Sequence, residues 1–99
     1  MKCTISAQAA DMLKEILNQE AEKELRIRAF VSHAHGNHAH YGLGLDVQKE
    51  TDECVLSESG VEILLERGQE LLDGITIDYD PESDEWSITN PSKGNSGDH

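Results

Sequence analysis

Residues 25–47 read LRIRAFVSHAHGNHAHYGLGLDV, and this stretch decides the fold. Apolar residues occupy alternate positions from 25 to 31 and again from 41 to 47. A period of two is typical of β-strands. Gly36 and Asn37 lie between the two runs, and a glycine at the first central position suits a two-residue turn. The stretch therefore predicts a β-hairpin.

The remaining elements follow from similar patterns. Ser6 is a typical N-cap, and apolar residues at helical spacing predict one long helix over residues 7–19. A short second helix is predicted over residues 67–72, closed by Gly74. Further strands are predicted over residues 4–5, 54–56, 61–65, 75–79 and 86–89. The fold class is therefore α+β and rich in strands, with a single domain over residues 1–91 and a mobile tail over residues 92–99.

The charge balance limits the classes of partner. Twenty Asp and Glu residues oppose eight Lys and Arg, which gives a formal net charge of −12. Nucleic-acid binding and adsorption to anionic membranes both need clustered Lys and Arg, so we expect neither partner. A basic protein partner fits the negative field better.

The two cysteines and the N-terminus indicate a compartment. Cys3 and Cys54 are the only cysteines, and no apolar run resembles a signal peptide or a membrane span. Two thiols without a secretion signal favour a reducing environment. We therefore expect a cytoplasmic protein.

Four of the five histidines lie within eight residues, which makes this segment the candidate functional site. They are His33, His35, His38 and His40. Imidazole is the commonest metal ligand, and a set of nitrogen donors suits Zn, Ni, Cu or Fe(II) rather than Ca or Mg. The alternative interpretation is a solvated polar hairpin tip.

The register of the hairpin determines whether the histidines can act together. A two-residue turn places His35 opposite His38 and His33 opposite His40, with all four on one face. That register sends the apolar side chains of the two strands to opposite faces. Either a β-bulge or a longer loop intervenes, or both faces are partly covered. A loop of odd length restores a common core but divides the histidines into two pairs on opposite faces.

Several strings, in order along nearly the whole chain, resemble the HesB/IscA family of iron–sulfur cluster assembly proteins. They are Ile5-Ser6, Leu13-Lys14-Glu15-Ile16-Leu17, Leu25-Arg26-Ile27-Arg28, Tyr41-Gly42-Leu43-Gly44-Leu45-Asp46, Gly60-Val61, residues 71–79 (LLDGITIDY) and Ile88-Thr89-Asn90-Pro91. The resemblance implies a HesB-like fold of two packed, mostly antiparallel β-sheets with one long and one short helix. It also implies a homodimer or tetramer.

The family's metal ligands are missing from this sequence. The resemblance implies one cysteine in a Gly-Cys-Ser-Gly loop and two in a C-terminal Cys-Gly-Cys. Alignment on Tyr41 places the first of these cysteines at Gly36, with His35 and His38 in place of the two glycines of the loop. Residues 92–99 contain no cysteine. Thiolates hold iron–sulfur clusters, so we expect no cysteine-ligated cluster.

Two functions remain open at this point. The first is a non-catalytic protein related to cluster assembly that binds a divalent transition metal through the histidine loop. The second is a metal-free interaction module that docks a basic partner on its acidic surface. No serine, cysteine or lysine lies beside a recognisable catalytic base, so we expect no enzymatic activity.

Overall fold

The computed structural model describes residues 1–35 and 38–91, and for His38 the backbone alone. Alternating apolar residues form the strands of this part of the chain, as the sequence predicts. Its elements are β1 (Cys3–Ile5), α1 (Ala7–Asn18), β2 (Arg26–His35), β3 (His38–Asp46), β4 (Asp52–Leu56), β5 (Glu62–Glu66), a 3-10 turn (Glu70–Leu72), β6 (Ile75–Asp80) and β7 (Glu85–Thr89).

The strands form two sheets. The larger sheet has the order β3-β2-β5-β4, and the smaller has the order β1-β6-β7. Only the pairs β2/β5 and β1/β6 are parallel among the described strands; the other three pairs are antiparallel. The predicted α+β class with two mostly antiparallel sheets is confirmed. β3 lies at one edge of the larger sheet, and β7 lies at one edge of the smaller.

Helix α1 begins where the sequence predicts and closes one side of the core. The Ser6 hydroxyl accepts a hydrogen bond from the backbone N–H of Ala9 at 3.1 Å, which satisfies a donor that the first helical turn leaves free. Ala9, Ala10 and Leu13 are buried on the inner face of the helix. Burying one leucine side chain of this kind stabilises the fold by about 1.5–3 kcal/mol.

A single core lies between the sheets and the helix. Both sheets and α1 contribute fully buried apolar side chains, among them Leu13, Ile27, Ile63, Leu65, Ile75 and Ile77. A ring of half-buried side chains surrounds them, including Tyr41, Leu43, Trp86 and Ile88. Five of the ten half-buried side chains come from β3 and β7, so the core is partly open where these two edge strands meet.

The predicted short helix over residues 67–72 is wrong in type and length. The structure has a 3-10 turn over Glu70–Leu72 only. Gly68 has a φ of +87°, which a right-handed helix cannot accommodate. The chain therefore turns at Gly68 and cannot start a helix before it. Gly74 has a φ of +95° and ends the segment, as the sequence predicts.

Candidate functional site

The candidate histidines lie at the tip of the β2–β3 hairpin. His33 pairs with His40, Ala34 with Ala39, and His35 with His38 across the two strands. This is the register that a two-residue Gly-Asn turn predicts, although the turn itself, residues 36–37, lies outside the described residues. Both strands run further into the histidine segment than the alternating apolar runs indicate.

A β-bulge resolves the conflict between the histidine face and the core. Val31 pairs with Tyr41, whereas the next pair is His33 with His40, so Ser32 is an extra residue on β2. The Ser32 hydroxyl donates a hydrogen bond to the carbonyl oxygen of His40 at 3.2 Å. The extra residue lets Val31 and Tyr41 share the core face while His33 and His40 share the opposite face.

The bulge therefore keeps the histidine side chains that the structure describes on one face. His33, His35 and His40 are all exposed. The ring centroids of His33 and His35 are 4.4 Å apart, with the planes at 77°. The ring centroids of His33 and His40 are 6.0 Å apart, with the planes at 31°. The His33 ring thus lies between the other two. The division into two histidine pairs on opposite faces, which a loop of odd length predicts, does not occur among these three residues.

These spacings can be compared with the spacing in a metal site. Two imidazoles on one tetrahedral ion have ring centroids about 5 Å apart, because each metal–nitrogen bond is about 2.0–2.1 Å long. The two observed centroid distances lie on either side of that value. Within residues 1–35 and 38–91, however, no group of three or more His, Cys, Asp or Glu side chains is arranged to hold a metal ion. Binding would therefore require the exposed rings to rotate, a motion of low cost for surface side chains.

The two cysteines are poor candidates for thiolate ligands. Cys3 lies in β1 and is buried, and burial raises the pKa of its thiol to about 12. Cys54 lies in β4 in the other sheet, where burial and then the negative charge of Glu62 raise the pKa of its thiol. A thiol must lose its proton to bind iron or zinc, and both environments oppose that loss.

An ion-pair network anchors the base of the hairpin, and the sequence analysis missed it. The Arg28 guanidinium on β2 donates to both carboxylate oxygens of Asp52 at 2.8 and 2.5 Å, and to Asp46 on β3 at 2.9 Å. Asp52 also accepts the backbone N–H of Lys49 at 2.8 Å. The signal was an arginine between the two buried positions Ile27 and Ala29 of β2, but its partner Asp52 lies 24 residues away in sequence.

The network makes Asp52 a permanently charged group. Its side chain is 1% exposed, yet hydrogen bonds from the Arg28 guanidinium hold the pKa of its carboxyl at about 2. The same pairing raises the pKa of the Arg28 guanidinium. Since β2 and β4 begin and β3 ends near this ion pair, the network links the three strands at the base of the hairpin.

Phe30 covers the outer face of the hairpin between the network and the histidines. An added Cβ at Gly42 would lie 2.5 Å from Cζ of Phe30, so the ring occupies the space that a side chain would need. At Gly44 the nearest atom of the same ring would be 3.8 Å away. The absence of a side chain at Gly42 therefore lets the Phe30 ring lie against the backbone of β3.

Polar contacts also fix β3 from the core side. The Tyr41 hydroxyl donates to the carbonyl oxygen of Leu71 at 2.8 Å. The buried Asn90 amide donates to the same carbonyl at 2.7 Å and to that of Asp73 at 2.9 Å. Both sides of the hairpin are thus anchored, and the histidine tip projects from this base.

None of the described helices is long and apolar enough to cross a membrane.

Comparison with curated proteins identifies relatives over most of the chain. The chain is 33% identical over 87 residues to iron–sulfur cluster insertion protein ErpA of Paraburkholderia phymatum, covering 85% of this chain and 72% of the relative. It is 30% identical over 87 residues to the protein of the same name from Burkholderia cenocepacia, with 85% and 71% covered. It is 31% identical over 87 residues to the protein of that name from Burkholderia mallei, again with 85% and 71% covered. No protein-family profile matches the chain. The identity and coverage of these relatives are sufficient to assign a family.

Proposed function

The chain belongs to the HesB/IscA family of A-type carriers, and on that basis we propose that it is a non-catalytic accessory protein of iron–sulfur cluster assembly. We propose further that it binds a divalent transition metal ion through His33, His35, His38 and His40. The relatives' names supply the pathway, since each is named for cluster insertion. The hairpin supplies the candidate ligands.

One observation carries the metal proposal: His33 lies between His35 and His40 at centroid distances that bracket the spacing on a shared ion. The backbone pairing places His38 across from His35, next to this group. All three described rings are exposed, so an ion can reach them and the rings can turn toward it.

The donor type determines which cargo fits. Neutral imidazole nitrogens are borderline ligands that suit Zn, Ni, Cu or Fe(II), and they bind hard cations such as Ca and Mg weakly. The thiols of Cys3, which is buried, and Cys54, which is half-buried, lie in separate sheets. The proposed cargo is therefore a single ion held and released by imidazoles. A sulfide-bridged cluster held by thiolates does not fit this arrangement.

Calorimetric titration of untagged protein with Zn, Ni, Cu and Fe(II) tests the proposal. The informative variant replaces His33 and His40, and the matched control is His99→Ala, which removes one histidine from the chain terminus. Losing an outer-shell partner already weakens metal sites by about 10–100-fold, so the loss of two ligands should weaken binding by more. The control should bind as the natural chain does. Equal binding by all three proteins, or no binding of any of the four ions, would refute the metal site.

The second candidate function, a metal-free interaction module, has its own support. The described residues hold no ready-made group of metal ligands, and the chain carries a net charge of −12. Under this alternative, the titrations give no binding, and a basic protein partner is retained in a complex that dissociates as salt increases.

A further inference from the structure

Along residues 41–45, the free edge of β3 lacks the charged and proline residues by which proteins usually protect an edge strand. One side of β3 pairs with β2, and the other side ends the sheet. In the described part of the chain, no backbone hydrogen bond joins residues 41–46 to any element other than β2. Charged side chains, prolines or bulges normally keep such an edge from pairing with another chain. Residues 41–45 (YGLGL) contain no charge and no proline.

An apolar cleft lies beside this edge. Its volume is about 320 Å³, and its walls come from β3, β7 and α1. Leu43 and Leu45 line one side, Trp86 and Ile88 the other, and Leu13 and Ile16 the floor. No charged side chain lines the cleft. It exists because the two sheets come together here at edge strands, so the core stays partly open.

The edge and the cleft are placed to bind one extended segment. A strand added to β3 would lie about 4.8 Å from it, with alternate side chains on opposite faces. Those on the face of Leu43 and Leu45 would point into the cleft. Those on the other face would lie on the side of β3 that carries Gly42, Gly44 and the exposed Phe30 ring. Backbone pairing would supply affinity, and the cleft would supply selectivity for apolar side chains.

The charge of the protein indicates the chemistry of that segment. The net charge of −12 favours a positively charged partner and accelerates its encounter. We propose that the free edge of β3 and the adjoining cleft bind an extended, basic segment of a partner protein, which adds to the sheet as a strand and inserts alternate apolar side chains into the cleft. This surface is separate from the histidine tip, so the proposal does not depend on metal binding.

Trp86 provides the readout for the test. It lines the cleft and is the only tryptophan of the chain, so its fluorescence reports on this site alone. The probe is a synthetic peptide of six residues, to match residues 41–46 of β3 without reaching the histidine tip, that alternates Lys and Val. A second peptide has the same composition with all Lys before all Val. A third keeps the alternating order but carries N-methyl groups on the amides that would face β3.

The protein variants are matched in charge and chemistry. Leu43→Lys places a charge in the cleft, and Leu56→Lys places the same charge on β4 at the opposite edge, where the natural side chain is already 67% exposed. Circular dichroism verifies that each variant is folded. The peptide comparisons use the unmodified chain, so they decide the question even if Leu43→Lys does not fold.

We expect the alternating peptide to shift the emission of Trp86 to shorter wavelength and to bind the Leu56→Lys variant as it binds the natural chain. Binding to Leu43→Lys should be at least about tenfold weaker, as for the loss of a central interface anchor. The reordered and N-methylated peptides should bind the natural chain at least about tenfold more weakly than the alternating peptide does. Equal binding of all three peptides would show attraction by charge alone and overturn the proposal. The proposal would also be overturned if sedimentation showed a dimer of the natural chain that the Leu43→Lys substitution dissociates. The occupant of the cleft would then be a second copy of the chain.

Discussion

Replacing Asp52 with Asn should destabilise the fold by about 2–3 kcal/mol, since the Arg28–Asp52 pair joins β2 to β4 in the larger sheet. The pKa of the Asp52 carboxyl is about 2, against an ordinary value of about 3.9. A difference of that size corresponds to about 2.5 kcal/mol of stability at neutral pH. Solvent screening does not reduce it much, because Asp52 is 1% exposed. The Arg28 guanidinium would keep Asp46 as a partner, so the loss stays below the about 3–5 kcal/mol of a fully orphaned buried charge.

Urea unfolding monitored by circular dichroism at pH 7 measures this loss, and Asp46→Asn is the matched control. The Asp46 side chain is 34% exposed and receives one hydrogen bond from Arg28, so its replacement should cost less than about 1 kcal/mol. A cost for Asp52→Asn no larger than that of the control would refute the assignment of the network as the anchor of the hairpin.

The pH dependence of the difference in unfolding free energy between the natural chain and Asp52→Asn provides an independent check. Because the folded-state pKa of Asp52 is depressed, its contribution is fully present above about pH 4 and is lost as the pH falls toward 2. The difference between the natural chain and Asp52→Asn should therefore be about half as large at pH 3 as at pH 7. A difference that stays constant from pH 7 to pH 3 would mean that the carboxylate charge does not stabilise the fold.

Three further predictions concern the helix cap, the glycine contact and the histidines. Gly42→Ala should lower the free energy of unfolding by about 1 kcal/mol by displacing the Phe30 ring, and in a Phe30→Ala background the loss should disappear in urea titrations. An equal loss in both backgrounds would contradict the contact. Ser6→Ala should cost about 1 kcal/mol because the N–H of Ala9 loses its acceptor, and an unchanged urea midpoint would argue against the cap. Metal bound at the hairpin should dissociate on acidification, because protonated imidazole cannot bind an ion; retention at pH 5 in equilibrium dialysis would exclude imidazole ligands.

Much of the fold follows from local patterns in the sequence. The alternating apolar residues identify the strands, and Ser6 identifies the start of α1, because these signals depend on neighbouring residues. The Gly-Asn turn predicts the pairing of His35 with His38. The predicted helix over residues 67–72 fails for a local reason too, since Gly68 adopts a left-handed conformation that its sequence context does not reveal.

What the sequence could not predict depends on distant contacts. The need for an irregularity follows from the two conflicting faces of the hairpin, but its position at Ser32 depends on how β2 packs between its neighbours. The partnership of Arg28 with Asp52 requires the register of β4, which no local signal sets. The cleft beside β3 exists only because two edge strands meet, a property of topology that periodicity does not encode.

The central claim is that the hairpin holds a metal ion through imidazoles, without sulfide. Its most direct test is the metal and acid-labile sulfide content of untagged protein purified without oxygen or chelators, compared with a variant in which His33, His35, His38 and His40 are all alanine. The proposed function predicts near-stoichiometric Zn, Ni, Cu or Fe without sulfide in the natural chain, and loss of that metal in the variant. Iron accompanied by sulfide, or the same metal content in both proteins, would contradict it.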